Sequence, residues 1–216
     1  MAIEVIPLKC PDCSTPLSGF ERDAIFFCPN CPAARDFSDP AKKPLPLNYA
    51  RARVVPDKYQ MIFYLPFYLF SVELDLSSEE ALQERVNKLA RELNRVYVSG
   101  YRLMRESYFG DLALLYTEAK IELEEDSSLG SDQRRKIGAA GRSLKEAEPY
   151  LKHYPLLIID KRQDITGMTL QVGATLERIW AVPFFDLGKQ LQDGILGKTF
   201  SSYALDAINE FRKAHY

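Results

Sequence analysis

The chain has 216 residues, of which 46% are hydrophobic and 27% are charged, and its formal net charge is −2. This length allows one good core and a small satellite but hardly two large domains. The near-neutral charge argues against a disordered acidic tail and against a surface that binds nucleic acid over its whole extent. We therefore expect one small and one medium-sized folded unit.

The first ten residues, ending at Cys10, lack the basic and apolar regions of a signal peptide. The longest apolar run, Met61 to Phe70, has ten residues and contains a proline, whereas a membrane-spanning helix needs about 20. All four cysteines lie within 22 positions as two Cys-x-x-Cys pairs, an arrangement that favours a metal over disulfides. We expect a cytoplasmic protein with reduced thiols and no membrane span.

The cysteine pairs carry the strongest motif. Cys10-Pro-Asp-Cys13 and Cys28-Pro-Asn-Cys31 are separated by fourteen residues, and residues 24–27 between them read as a short strand. Each pair predicts a tight turn whose backbone amides point at thiolate sulfurs, and four thiolates complete a closed tetrahedral site. The sequence therefore predicts one structural zinc ion per chain, bound by Cys10, Cys13, Cys28 and Cys31.

Residues 8–34 resemble the zinc-ribbon family with rubredoxin-like knuckles. The resemblance implies a small ribbon that folds around a structural metal ion. Many members have glycine after each knuckle, where this chain has Ser14 and Pro32, so the geometry of these turns is open. Iron is the alternative metal and would make the site a one-electron carrier, but rubredoxins usually separate their knuckles more widely, which favours zinc.

The predicted ribbon is acidic. Residues 1–40 contain three cations and six acidic residues, a local charge of −3, which is poorly suited to phosphates. Its four phenylalanines offer stacking surfaces for bases, but in so small a unit they more often form a core or a docking face. We expect a docking face made of Phe20, Phe26, Phe27 and Phe37.

Four prolines at positions 40, 44, 46 and 56 predict an extended, irregular connector over residues 40–57. The predicted organisation is thus a zinc ribbon at 1–39, a proline-rich linker at 40–57 and an α+β domain at 58–216. The linker also carries a basic strip, opposed only by Asp57 and consisting of Lys42, Lys43, Arg51 and Arg53. We expect this strip to neutralise the acidic ribbon; the alternative is an anion site.

The remaining elements alternate without a regular βαβ period, which favours an α+β fold over a doubly wound sheet. Tyr59–Leu76 predicts a long or bent strand with Pro66 at a bulge or an edge. Further along the chain we predict a helix over 78–94 begun by a capping box, a strand at 96–101, helices at 108–121 and from 132, strands at 156–159, 168–172 and 176–185, and a helix over 201–214.

The strand segments 64–70 and 181–187 share an apolar run broken by Pro-Phe-aromatic, 117 residues apart. Two neighbouring strands that each use a proline to protect a sheet edge explain this similarity more simply than a duplication of half the chain. A ribbon followed by a Leu-Pro-Phe-aromatic strand resembles a group of bacterial zinc-ribbon proteins. That resemblance implies the fold and no particular activity.

The usual catalytic signatures are missing from the sequence. Only His153 and His215 are present, no cysteine is left over from the metal, and no nucleophile elbow, phosphate loop or dinucleotide fingerprint occurs. Four aspartates are expected to be solvated turn residues and not a carboxylate pair: Asp160, Asp164, Asp186 and Asp193. We expect a non-enzymatic interaction or assembly subunit that binds another protein. The alternatives are a nucleic-acid-associated factor and an enzyme with an unrecognised site in residues 58–216.

Overall fold

A mixed eight-stranded sheet organises the chain, and one of the four cysteines, Cys28, lies in the strand at one of its margins. The computed structural model describes residues 8–37, 43–77, 88–103, 112–166, 168–205 and 207–215. The strands are β1 (Ile25–Cys28), β2 (Ala33–Asp36), β3 (Pro44–Tyr49), β4 (Met61–Ser77), β5 (Arg95–Ser99), β6 (Thr169–Asp186), β7 (Gln190–Asp193) and β8 (Thr199–Ser201). The helices are α1 (Leu112–Glu118), α2 (Ser131–Arg134), α3 (Leu144–Asp160) and α4 (Ile208–His215), with a 3₁₀ turn at Ser202–Ala204. The predicted α+β class is confirmed.

The strand order is β1-β2-β3-β6-β4-β5, with β7 pairing with β6 and β8 pairing with β7. The β3–β6 pair is parallel and the other pairs are antiparallel. β4 and β6 pair along their whole lengths and form the spine of the sheet. No helix in the described part of the chain is long and apolar enough to cross a membrane.

The register of the long strand β4 with β6 shifts between Leu69 and Phe70. The predicted long strand is therefore confirmed, but Pro66 lies neither at this bulge nor on an edge strand. Its carbonyl accepts a hydrogen bond from Gly100 N at 2.8 Å, on the side away from β6. The proline nitrogen faces the same side, so the missing N–H costs the β4–β6 ladder nothing.

Pro183 on β6 repeats this arrangement. Its carbonyl accepts a hydrogen bond from Gly194 N at 2.9 Å, again on the side away from the partner strand. Leu65 and Val182 are direct partners in the β4–β6 ladder, so the two Pro-Phe segments lie side by side. The prediction that these segments are neighbouring strands is confirmed, but the shared proline does not protect a sheet edge.

The segment predicted to be an irregular connector contains β3, so the expectation that its prolines exclude regular structure is wrong. Pro44 and Pro46 lie where β3 pairs with β2, and the pairing with β6 begins only at Leu47. The prolines therefore precede the residues that need N–H groups for the central ladder. The division at 1–39, 40–57 and 58–216 stays a prediction.

One predicted strand in the second half is wrong, because residues 156–159 belong to helix α3. The strands predicted at 168–172 and 176–185 are confirmed as strand from Thr169 onward, but the break expected between them is wrong, since both are parts of the single strand β6. The helix begins at a capping box in which Glu146 N donates to Ser143 Oγ at 3.3 Å. Its buried residues follow a helical period despite two internal prolines: Ala147, Leu151, Tyr154, Pro155, Ile158 and Ile159.

Other predicted helices are confirmed in part. Residues 88–92 are helical, and the rest of the capped helix predicted over 78–94 lies largely outside the described residues. The helix predicted from 132 is only the short α2, and the C-terminal helix begins at Ile208 and not at 201. The inward face predicted for that helix is confirmed, because Leu205, Ile208 and Phe211 are buried.

The cysteine-bearing segment packs into the main core. Ile25 and Phe27 on β1 belong to the same buried cluster as the aromatic residues of β4 and β6. Phe20 meets the ring of Phe211 on α4 edge to face, with centroids 4.7 Å apart, and Ala24 N donates to the carbonyl of Ala140 at 2.8 Å. The first strands are therefore built into the sheet and its core.

The expected aromatic docking face is wrong for Phe26 and Phe27, whereas Phe20 and Phe37 are half-buried. Phe27 is fully buried and Phe26 is 8% exposed, while its ring packs edge to face on Phe37. Residues 64–70 of β4 are buried as well. The main core takes in Phe27 because a small ribbon has too little core of its own to bury such rings.

Candidate metal centre

The first knuckle is a tight turn that brings the Sγ atoms of Cys10 and Cys13 into one cluster. Ser14 N donates to the carbonyl of Cys10 at 2.8 Å, and Cys10 N donates to the carbonyl of Thr15 at 2.9 Å. Ser14 has a φ of 58°, the left-handed region that favours glycine. Ser14 therefore has the conformation that favours the glycine found in many zinc ribbons. This answers the question that the sequence left open at the first knuckle.

The second knuckle is the turn between β1 and β2. Cys28 ends β1 opposite Ala33, and Cys31 lies in the turn. The backbone N–H of Cys31 donates to Cys28 Sγ at 3.1 Å, as expected for an amide that points at a sulfur in a knuckle. Pro32 takes the position after this knuckle and has no positive φ, so the two turns differ in geometry.

The two knuckles bring together the four predicted cysteines. Their Sγ atoms all lie within 4.8 Å of one another, and those of Cys13 and Cys28 are 3.5 Å apart. Sulfur atoms around a tetrahedral zinc ion, with bonds of about 2.3 Å, are about 3.8 Å apart. Cys10 and Cys28 are each 1% exposed. The cluster thus has the donor atoms, spacing and enclosure to hold a metal ion.

The thiols of Cys13, Cys28 and Cys31 differ in pKa because their surroundings differ. Hydrogen bonding to the Thr15 hydroxyl, whose oxygen is 3.3 Å from Cys13 Sγ, lowers the pKa of Cys13 to about 6. Hydrogen bonding with Cys13 raises the pKa of Cys31 to about 12, and burial raises the pKa of Cys28. Without a cation the cluster therefore favours a single thiolate at Cys13 over two, and a divalent ion would favour all four. The sequence reading missed Thr15.

This ordering predicts proton release when the metal binds. At pH 7 the thiols of Cys28 and Cys31 are protonated, because their pKa values are raised, so binding releases at least these two protons. Release of at least two protons per ion makes the apparent Kd weaker by at least about a hundredfold for each pH unit below 7. An indicator-dye titration of the metal-free protein with zinc in weak buffer measures the release. Binding without acidification would contradict this account of the site.

Ser14 allows a second test of the first knuckle. A side chain in the left-handed region costs roughly 1 kcal/mol, so we expect Ser14→Gly to raise the thermal midpoint slightly. We expect Ser14→Val to lower it, because β-branched residues tolerate positive φ poorly. Thermal melts of the zinc-loaded variants measure both. Equal midpoints for glycine and valine would show that the backbone at this turn relaxes.

A buried arginine holds the first knuckle against the sheet. Arg35 on β2 is 6% exposed, and its guanidinium forms an ion pair with Asp12, which lies between the first two cysteines. The sequence reading counted both residues only as part of the local charge. Their pairing joins the turn to β2 across 23 positions of sequence, so the local acidity of the predicted ribbon is partly compensated from within.

Within the basic strip, Arg51 and Arg53 lie beside a different acidic segment from the one expected. Arg51 N donates to the carbonyl of Glu124 at 2.8 Å, and the Arg53 guanidinium lies 4.0 Å from the Glu124 carboxylate. The acidic neighbour of the Arg53 side chain is thus Glu124 and not the ribbon. Lys42 lies outside the described residues.

Two of the four aspartates expected at solvated turns are fully buried, which corrects the prediction for Asp186 and Asp193. Asp186 accepts hydrogen bonds from Arg212 at 2.8 and 3.0 Å and fixes α4 to the sheet. Asp193 accepts a hydrogen bond from the Tyr116 hydroxyl and others from the turn amides after β7, and burial raises its pKa. Asp160 and Asp164 are exposed as expected.

Comparison with known proteins adds no relative. No protein-family model, curated protein or solved structure matches this chain. The likeness to zinc ribbons therefore rests on the spacing of the four cysteines and on the cluster that they form.

Proposed function

We propose that the four cysteines bind one structural zinc ion and that the protein is a non-enzymatic interaction or assembly subunit in a reducing compartment such as the cytoplasm. The observation that carries the zinc assignment is the cluster of four thiols within 4.8 Å, with Cys10 and Cys28 buried. Four soft thiolates select zinc among the abundant divalent ions, and iron is the alternative.

A structural role follows from the composition of the cluster. Four protein ligands complete a tetrahedral zinc site, so no position remains for a substrate or an activated water molecule. The zinc ion would fix two turns that hold the outer strands β1 and β2 in place. Its binding free energy would then contribute to folding of this margin of the sheet.

The contacts of the charged residues support an interaction role over the alternatives. Asp186 and Asp193 are engaged in contacts that fix α4 and the β7 turn, and the basic strip is partly compensated by Glu124. Exposed apolar side chains occur in the loop before β4, where Val55 is 56% and Tyr59 is 47% exposed. These features favour a protein partner over a phosphate backbone.

The test of this function is the size of the native assembly. We expect the endogenous protein to migrate in an assembly much larger than its own 24.7 kDa and to recover a partner in fixed stoichiometry. Migration at the mass of one chain, with no stoichiometric partner after mild crosslinking, would contradict an assembly role. Elemental analysis of the same material tests the metal separately.

A further inference from the structure

One edge of the sheet is open along half of β6. This strand pairs with β4 from end to end, but on its other side it pairs with β3 only at 179–181 and with β7 only at 184–186. Among the described residues no strand pairs with the outer side of residues 169–175. At about 3.3 Å per residue this open edge is roughly 23 Å long.

The ladder fixes which backbone groups line this edge. Val72 on β4 donates its N–H to the carbonyl of Asn94 at 2.9 Å, away from β6. Val72 and its partner Ala174 are therefore a pair without mutual hydrogen bonds in an antiparallel ladder, and such pairs alternate. By this alternation Ala174, Val172 and Leu170 turn their N–H and C=O groups outward.

The edge lacks the features that normally protect a sheet margin. Natural edge strands carry charges, prolines or bulges, or are very short. The segment Thr169–Thr175 contains no charged residue and no proline, and five of its seven residues are exposed. Two other margins are protected, since β8 has only three residues and Ser18 N donates to the carbonyl of Phe27 outside β1 at 2.7 Å.

The surface beside the edge is negative. Glu73 and Asp75 are exposed on β4, and they are the ladder partners of Gly173 and Gln171 on β6. Gly173 has no side chain, so the path from the open edge to Glu73 is clear, and a Cβ added there meets only Glu73, no closer than 3.8 Å. No ion pair among the described residues engages either acid.

We propose that residues 170–175 are a β-augmentation site for an extended segment of a partner protein that carries lysine or arginine at alternate positions. Main-chain hydrogen bonds to Leu170, Val172 and Ala174 provide the affinity, and the cations reach over Gly173 to the acids of β4. A second copy of this chain fits less well, because its own edge presents no cation to these acids. The proposal deepens the proposed interaction function and rests on it.

The test uses a short peptide in which lysine alternates with valine, and a matched peptide in which glutamate replaces lysine. We expect the lysine peptide to bind the full-length zinc-loaded protein at least tenfold more tightly. We expect Ala174→Pro to weaken its binding at least tenfold, because proline removes an outward N–H without removing a β4–β6 bond. Ala174→Ser keeps the N–H and serves as the matched control.

A charge-reversed variant keeps the test decisive if the proline variant folds poorly. Glu73 and Asp75 are exposed, so Glu73→Lys with Asp75→Lys should leave the fold intact and reverse the preference between the peptides. Equal binding by Ala174→Pro and Ala174→Ser, or an unchanged preference in the reversed variant, would overturn the proposal. A dimer that Ala174→Pro dissociates in sedimentation would do so too, because the occupant would be a second copy. If Ala174→Pro retains the native assembly, the site fails while the interaction function stands.

Discussion

Cys28→Ser is expected to abolish metal binding and to lower the thermal midpoint of the whole protein. Cys28 is buried at the end of β1, beside core residues Ile25 and Phe27. Zinc binding supplies on the order of 10 kcal/mol of folding free energy in small zinc peptides. If about 4 kcal/mol of this is coupled to global unfolding, the midpoint falls by about 8–16 °C.

The form of the transition is as informative as its midpoint. Because β1 and β2 share the core of the remaining sheet, calorimetry of Cys28→Ser should show one broadened or lowered transition and no separate ribbon transition. Glu21→Ala is the matched control, since Glu21 is exposed in the segment between the two cysteine pairs, and it should retain both zinc and midpoint. A metal-free Cys28→Ser protein with an unchanged midpoint would show that the metal does not stabilise the fold.

Phe211→Ala is expected to destabilise the protein by about 3–5 kcal/mol, the usual cost of removing a buried aromatic ring. Phe211 on α4 is fully buried and joins two parts of the chain. Its ring centroid lies 4.7 Å from that of Phe20 and 4.5 Å from that of Phe63 on β4. Removing it leaves a cavity between the segment that bears the cysteines and the central strands.

Chemical denaturation of the zinc-loaded variant measures this effect. Lys213→Ala is the matched control, because Lys213 is exposed on the same helix, and we expect its free energy of unfolding to change by less than about 0.5 kcal/mol. A loss below about 1 kcal/mol for Phe211→Ala would show that the contact between Phe20 and α4 contributes little. The segment with the cysteines would then behave as the separate unit predicted from sequence.

The metal centre was predictable because its determinants are local. Two Cys-x-x-Cys turns specify their own geometry, and four soft ligands specify the class of ion. Thr15 and the Arg35–Asp12 pair were not predictable in the same way. Thr15 acts through one hydroxyl contact to Cys13, and Arg35 reaches its partner across 23 positions of sequence. The left-handed φ of Ser14 was signalled only by the glycine that the family has there.

The fold class and the central strands β4, β5 and β6 were predictable from apolar runs, but proline misled the reading in two places. In α3 the two prolines argued against a helix, although the apolar residues follow a helical period and a capping box begins it. In β3 they hid a strand, because sequence does not show which residues of a strand need their N–H groups for pairing with a neighbouring strand. β7 and β8 were missed because they are only four and three residues long.

The central claim is that Cys10, Cys13, Cys28 and Cys31 hold one structural zinc ion. X-ray absorption at the zinc edge, combined with elemental analysis of protein purified without added metal, tests it most directly. The account predicts about one zinc per chain, surrounded by four sulfur atoms at about 2.3 Å. A protein that contains iron at this stoichiometry, no metal, or zinc bound by oxygen and nitrogen would contradict it.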